Sequence, residues 1–129
     1  MITFKQNGID YKIYFKYQRK PQQDKFSKLK IEEKDTTICV LENSTEKSNL
    51  VQFITQCSPE DNFSKEVGRQ ITLVRLLNHI TYDGNFFNEV ILDIIKKYFK
   101  GRETKLPEKE SKLLNDILIY VLTHNGTIR

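Results

Sequence analysis

The chain has 129 residues, 38% apolar and 29% charged, enough for one buried core and far from a disordered composition. No run approaches the roughly 18 apolar residues of a membrane span, and the opening MITFKQNGIDYK lacks the apolar stretch of a signal peptide, so a single cytoplasmic domain (1–129) with no membrane partner is expected. The net charge of +4 is unevenly placed: residues 1–31 hold eight basic side chains against Asp10 and Asp24, while the remainder carries a slight acidic excess. Such a basic quarter attracts phosphate or an acidic protein surface, and a solvated strand face would give the same count.

In chain order, Ile2 and Phe4 alternate with polar neighbours and lead to Asn7-Gly8, the positive-φ pair of a tight hairpin. The next run, DYKIYFKYQRK, places Tyr11, Ile13, Phe15 and Tyr17 on one face and Lys12, Tyr14, Lys16 and Gln18 on the other. One face is core; the other is basic with an embedded tyrosine. Pro21 and its polar neighbours make 20–35 a basic arm, carrying Lys20, Lys25, Lys28 and Lys30 on from Arg19. TTICVLEN (36–43) and NLVQFITQCS (49–58) read as two more strands around the turn STEKS, and short connections between four strands suggest an antiparallel meander.

From Ser58-Pro59 the period becomes helical, with a serine cap, a proline at the first position and Glu60 and Asp61 at the positive end of the dipole. This helix is expected to run to about Ile80 and to be broken by TYDGN (81–85). A second follows in FFNEVILDIIKKYFK, with Phe87, Val90, Ile91, Ile94 and Tyr98 on one face and Gly101 at its C-terminal cap. Pro107 opens a third, striped by Leu114, Ile117, Leu118 and Val121 and ending near Asn125-Gly126. The expected fold class is α+β: a four-stranded antiparallel sheet packed by one long helix, followed by a C-terminal helical hairpin.

The first helix poses a problem at Gly68, since glycine inside a helix costs about 1 kcal/mol relative to alanine. At 100° per residue, Phe63, Val67, Ile71, Leu73, Val74 and Leu77 define a core-facing arc, interrupted by Glu66 and Gln70. Gly68 falls outside it, beside Lys65, Arg69, Thr72, Arg75 and His79. The expectation is that Gly68 points away from the apolar arc and that something approaches it closely there: another part of the chain, such as the third helix or the 20–35 arm, is favoured because mixed domains commonly sandwich a helix from two sides, with an external phosphate or protein surface as the alternative.

The string DNFSKEVGRQITLVRLL resembles small phage and mobile-element proteins with a DxFxKxxGRxxxLxRL helix pattern. Asp61, Phe63, Lys65, Gly68, Arg69, Leu73, Arg75 and Leu76 carry the match, which covers about the first 80 residues and leaves the last two helices outside. The resemblance implies a protein that binds a host complex, with anti-CRISPR antagonists of bacterial immunity as a prominent class. Many of those are acidic mimics of nucleic acid; this chain is basic and departs from them.

Signs of catalysis are sparse. Cys39 and Cys57 sit in apolar strand-like runs, where small buried thiols belong, and His79 and His124 lie near helix ends. Neither pairs at metal-ligand spacing with a cysteine, and Walker, GxGxxG and GxSxG motifs are missing, so no enzyme activity, cofactor or metal is expected. A hydrolase using Cys57 is the weaker third class. The expected function is non-catalytic binding to a host protein or ribonucleoprotein complex, with free-standing DNA or RNA binding in phage replication or regulation as the alternative. Lys16, Arg19, Lys20, Lys28 and Lys30 form the expected first contact set, Lys65, Arg69 and Arg75 a second, and Tyr14 would stack on a base. Period two leaves open whether Tyr14 instead packs under the helices.

Overall fold

A computed structural model describes residues 1–18, 36–56 and 65–123. The expected basic arm with Arg19, Lys20, Lys28 and Lys30, the helix start expected at Ser58-Pro59, Cys57 and His124 therefore lie outside the described residues.

Four strands, β1 (Ile2–Gln6), β2 (Ile9–Gln18), β3 (Thr36–Asn43) and β4 (Ser48–Gln56), form an antiparallel sheet in the order β1-β2-β3-β4. Asn7 and Gly8 close the first hairpin with φ of 53° and 77°, and Gln6 opposite Ile9 fixes its register. β1 buries alternate residues, Ile2, Phe4 and Gln6. The ring of Phe4 stacks on Tyr11 at 5.2 Å, and Phe86 meets both edge-on. β3 is, with β2, one of the two inner strands and is buried along nearly its whole length.

Three helices follow: α1 (Lys65–Asp83), α2 (Asn88–Phe99) and α3 (Glu108–Thr123). The class is thus α+β, as expected, but one long helix does not cover the sheet alone. α1 lies over β3 and β4, α2 over β1, and α3 packs on both helices from outside. Buried Gln6 locks this arrangement: its amide donates to the Asn85 carbonyl at 2.9 Å and its oxygen accepts from the Phe87 N–H at 2.8 Å. Both polar ends of a buried amide are satisfied by the α1–α2 connection, so β1 and the start of α2 are held together.

Helix ends differ slightly from expectation. α1 continues through Thr81 to Asp83, because the Thr81 hydroxyl donates back to the Leu77 carbonyl at 2.6 Å and the side chain is wholly buried; Gly84, with φ of 81°, ends the helix. Phe87 is the N-cap of α2, and it is Phe86 that enters the core. Gly101 takes a φ of 71° just beyond α2, as its place in the sequence suggests.

The orientation of α1 corrects the neighbour expected for Gly68. Gly68 is buried against the sheet: a Cβ built on it would lie 2.5 Å from Thr37 Oγ1 and 3.2 Å from Thr37 Cβ on β3. The same side of the helix places Arg75 on Thr55 and His79 on Phe53, both in β4. Gln70, 200° further round, donates to the Glu103 carbonyl at 3.0 Å and accepts from the Lys105 N–H at 2.8 Å, both in the α2–α3 connection. α1 is therefore sandwiched, and the apolar arc identifies only one of its two buried sides. The sheet-facing side is built from small and polar residues, Gly68 and Thr72 among them. Thr72 directs its hydroxyl to the Gly68 carbonyl at 2.9 Å, which lets a polar residue sit in a tight, dry contact.

Candidate functional site

Tyr11, Ile13 and Phe15 of β2 pack into the main core beneath the helices. Strand alternation then turns Lys12, Tyr14 and Lys16 to the opposite face of the sheet. Tyr14 does not pack under the helices; it stands between two ammonium groups, with Lys12 Nζ 5.3 Å and Lys16 Nζ 5.6 Å from its ring centre. Lys12 is tied across the register to Glu42 at 3.0 Å, whereas Lys16 is exposed and has no carboxylate within ion-pair distance among the described residues. Further along this face, toward β4, Leu50 and Ile54 are each about half exposed. The face thus grades from cationic and aromatic on β2 to apolar on β4.

The second expected contact set does not form one surface. Arg75 bridges layers: it donates to Thr55 Oγ1 at 3.3 Å and pairs at 3.0 Å with Glu110, a carboxylate almost completely buried in the first turn of α3. Arg69, 120° away on the opposite flank of α1, pairs with Glu66 at 2.9 Å. Lys65 is the first residue of α1.

Arg69 has company that the sequence reading did not assemble. Glu66 also receives the Gln70 amide at 3.1 Å and both oxygens face Arg102 Nη1 at 3.4 Å, so two arginines share one carboxylate. The Gln70 hydrogen bond, then those to Arg69 and the charge of Arg102, hold Glu66 below the usual carboxylate range against the opposing effect of burial. The Arg102 guanidinium lies 4.6 Å above the Tyr98 ring. Lys97, one turn of α2 from its partner Asp93 at 2.8 Å, reaches back to the Thr3 carbonyl at 3.2 Å. Arg69, Lys97 and Arg102 line a single cleft with Ile2, Phe15 and Tyr98. In the sequence, Arg102, just past the capping Gly101 and four residues from Tyr98, was the available signal for this cleft.

No family model, curated protein or solved structure matches the chain. Among the described residues no group of three or more His, Cys, Asp or Glu side chains is placed to hold a metal ion, and no helix is long and apolar enough to cross a membrane. Cys39 is fully buried, and burial pushes its thiol up to about 12, so it carries no appreciable thiolate at neutral pH.

Proposed function

We propose that this protein is a non-catalytic binding protein of a phage or mobile element that antagonises a host nucleic-acid-handling complex, such as a CRISPR effector, by docking the β2 face of its sheet on an anionic surface. The observation that carries the reading is Tyr14 flanked by Lys12 and Lys16 on the sheet face turned away from the helices. Cations supply contacts to phosphate or carboxylate, and a tyrosine held between them supplies a stacking surface. The phage and host-complex context is supported by the resemblance of the 61–77 segment. Within that segment the Gly-Arg pair has structural work, Gly68 against Thr37 and Arg69 on Glu66, so the contact surface is assigned to β2 in preference to α1. The arm bearing Arg19, Lys20, Lys28 and Lys30 continues directly from β2 and would extend the positive charge.

The test is capture of a host complex by the full chain, with and without nuclease, compared with a Tyr14→Ala, Lys16→Glu variant of equal thermal stability. A nuclease-resistant complex retained by the parent chain and lost by the variant is expected. Undiminished capture by the variant refutes the β2 face as the docking surface. A parent chain that binds single-stranded DNA or RNA unaided, with affinity falling steeply in salt, supports the free-standing nucleic-acid reading instead.

A further inference from the structure

The cleft beside β1 lies on the helix side of the sheet, away from Tyr14, and its chemistry is separate. It encloses about 300 Å³, at the lower end of the range for small-molecule sites, room for one ring and its substituent but not for a polymer. Its charges do not balance locally. Three cations, Arg69, Lys97 and Arg102, face it, and among the described residues the carboxylates that hold them are two: Glu66, shared by both arginines, and Asp93. Glu66 remains ionised, so the excess is one positive charge.

Hydrogen-bond donors are also in surplus. Arg69 Nε and the Tyr98 hydroxyl are buried and have no acceptor among the described residues, although both belong to residues that line the cleft. Burial, then the charge of Glu66, pushes the Tyr98 hydroxyl up to about 12, and at neutral pH it is protonated, as an ordinary phenol is, and able to donate. Ile2 and Phe15 supply an apolar wall beside these groups. A planar carboxylate is satisfied by one arginine fork, whereas three cations from separate elements suit the three oxygens of a tetrahedral phosphate.

We infer that this cleft binds a small phosphate monoester, its phosphate among Arg69, Lys97 and Arg102 and its single apolar or aromatic ring against Ile2 and Phe15. The site is independent of the docking face, and either can fail without the other.

Titration calorimetry of the full chain at low salt, with phenyl phosphate, inorganic phosphate and phenol as probes, tests the assignment. Phenyl phosphate binds at least about tenfold more tightly than inorganic phosphate, as burial of a ring requires, and phenol gives no heat. Arg102→Gln weakens phenyl phosphate by about tenfold or more, the loss of a charge-assisted hydrogen bond. Glu66→Gln acts in the opposite direction: it removes the shared carboxylate, leaves both arginines and tightens binding several-fold. Circular dichroism confirms that each variant is folded, and Lys97→Gln, on an exposed side chain, carries the same expectation as Arg102→Gln should that variant unfold. No heat from millimolar phenyl phosphate overturns the proposal. So does phenol binding as well as phenyl phosphate, a cation variant that binds like the parent, or weakened binding in folded Glu66→Gln.

Discussion

Replacing Gly68 with alanine decides between two views of α1 by the sign of its effect. On an exposed helix face the change would stabilise the protein by about 1 kcal/mol through helix propensity. In the structure the new methyl would meet Thr37 Oγ1 at 2.5 Å and Thr37 Cβ at 3.2 Å. The hydroxyl cannot simply swing away, because Thr37 is β-branched and completely buried, and its Cβ is fixed to β3. α1 must move outward from the sheet or Thr37 must change rotamer within closed surroundings. Overpacking of this kind costs about 1–3 kcal/mol, and a 2.5 Å approach belongs at the upper end. Subtracting the propensity gain leaves a net loss of about 1–2 kcal/mol, a fall of roughly 3–10 °C in Tm for a domain of this size. Urea denaturation of Gly68→Ala, Thr37→Ala and the double variant measures it. The double variant is expected to recover part of the loss, because Thr37→Ala removes both the clashing oxygen and a buried hydroxyl that has no partner among the described residues. A Gly68→Ala protein more stable than its parent would refute the packing argument.

Two further outcomes follow from buried polar groups. Arg75→Met leaves the Glu110 carboxylate, 6% exposed, without its partner and costs about 2–3 kcal/mol in denaturant unfolding; adding Glu110→Leu restores part of it, and a double variant less stable than Arg75→Met would contradict the pairing. The Cys39 thiol and the Tyr98 hydroxyl are pushed up from 9.0 and 10.0 to about 12, chiefly by burial. The folded state keeps these protons where the unfolded chain releases them, so their contribution is intact below about pH 9 and is lost as pH rises toward 12. Thermal melts across that range check it: Cys39→Ala flattens the decline, and an unchanged slope would show that Cys39 is not its source.

The sequence made much of the sheet legible. Asn7-Gly8 fixed the first hairpin through the need for two positive φ angles, and period two correctly separated Tyr11, Ile13 and Phe15 from Lys12, Tyr14 and Lys16. It could not say which of those faces the helices would cover. Apolar content favoured the first, and the structure agrees. The candidate cleft was not legible, because Arg69, Lys97 and Arg102 come from three places in the chain and meet only when α2 lies on β1.

Residue pattern by itself determined the four strands, the three helices and the order in which they occur, since turn chemistry, capping residues and hydrophobic period are local properties. Tertiary structure decided the rotation of α1. A helix buried on two sides presents an apolar arc to one neighbour and a stripe of small residues to the other, and hydrophobicity registers only the first. Gly68 fell outside the apolar arc because it has no side chain to register there, and the sequence could not name its neighbour; the missing side chain is what lets α1 approach Thr37 of the sheet.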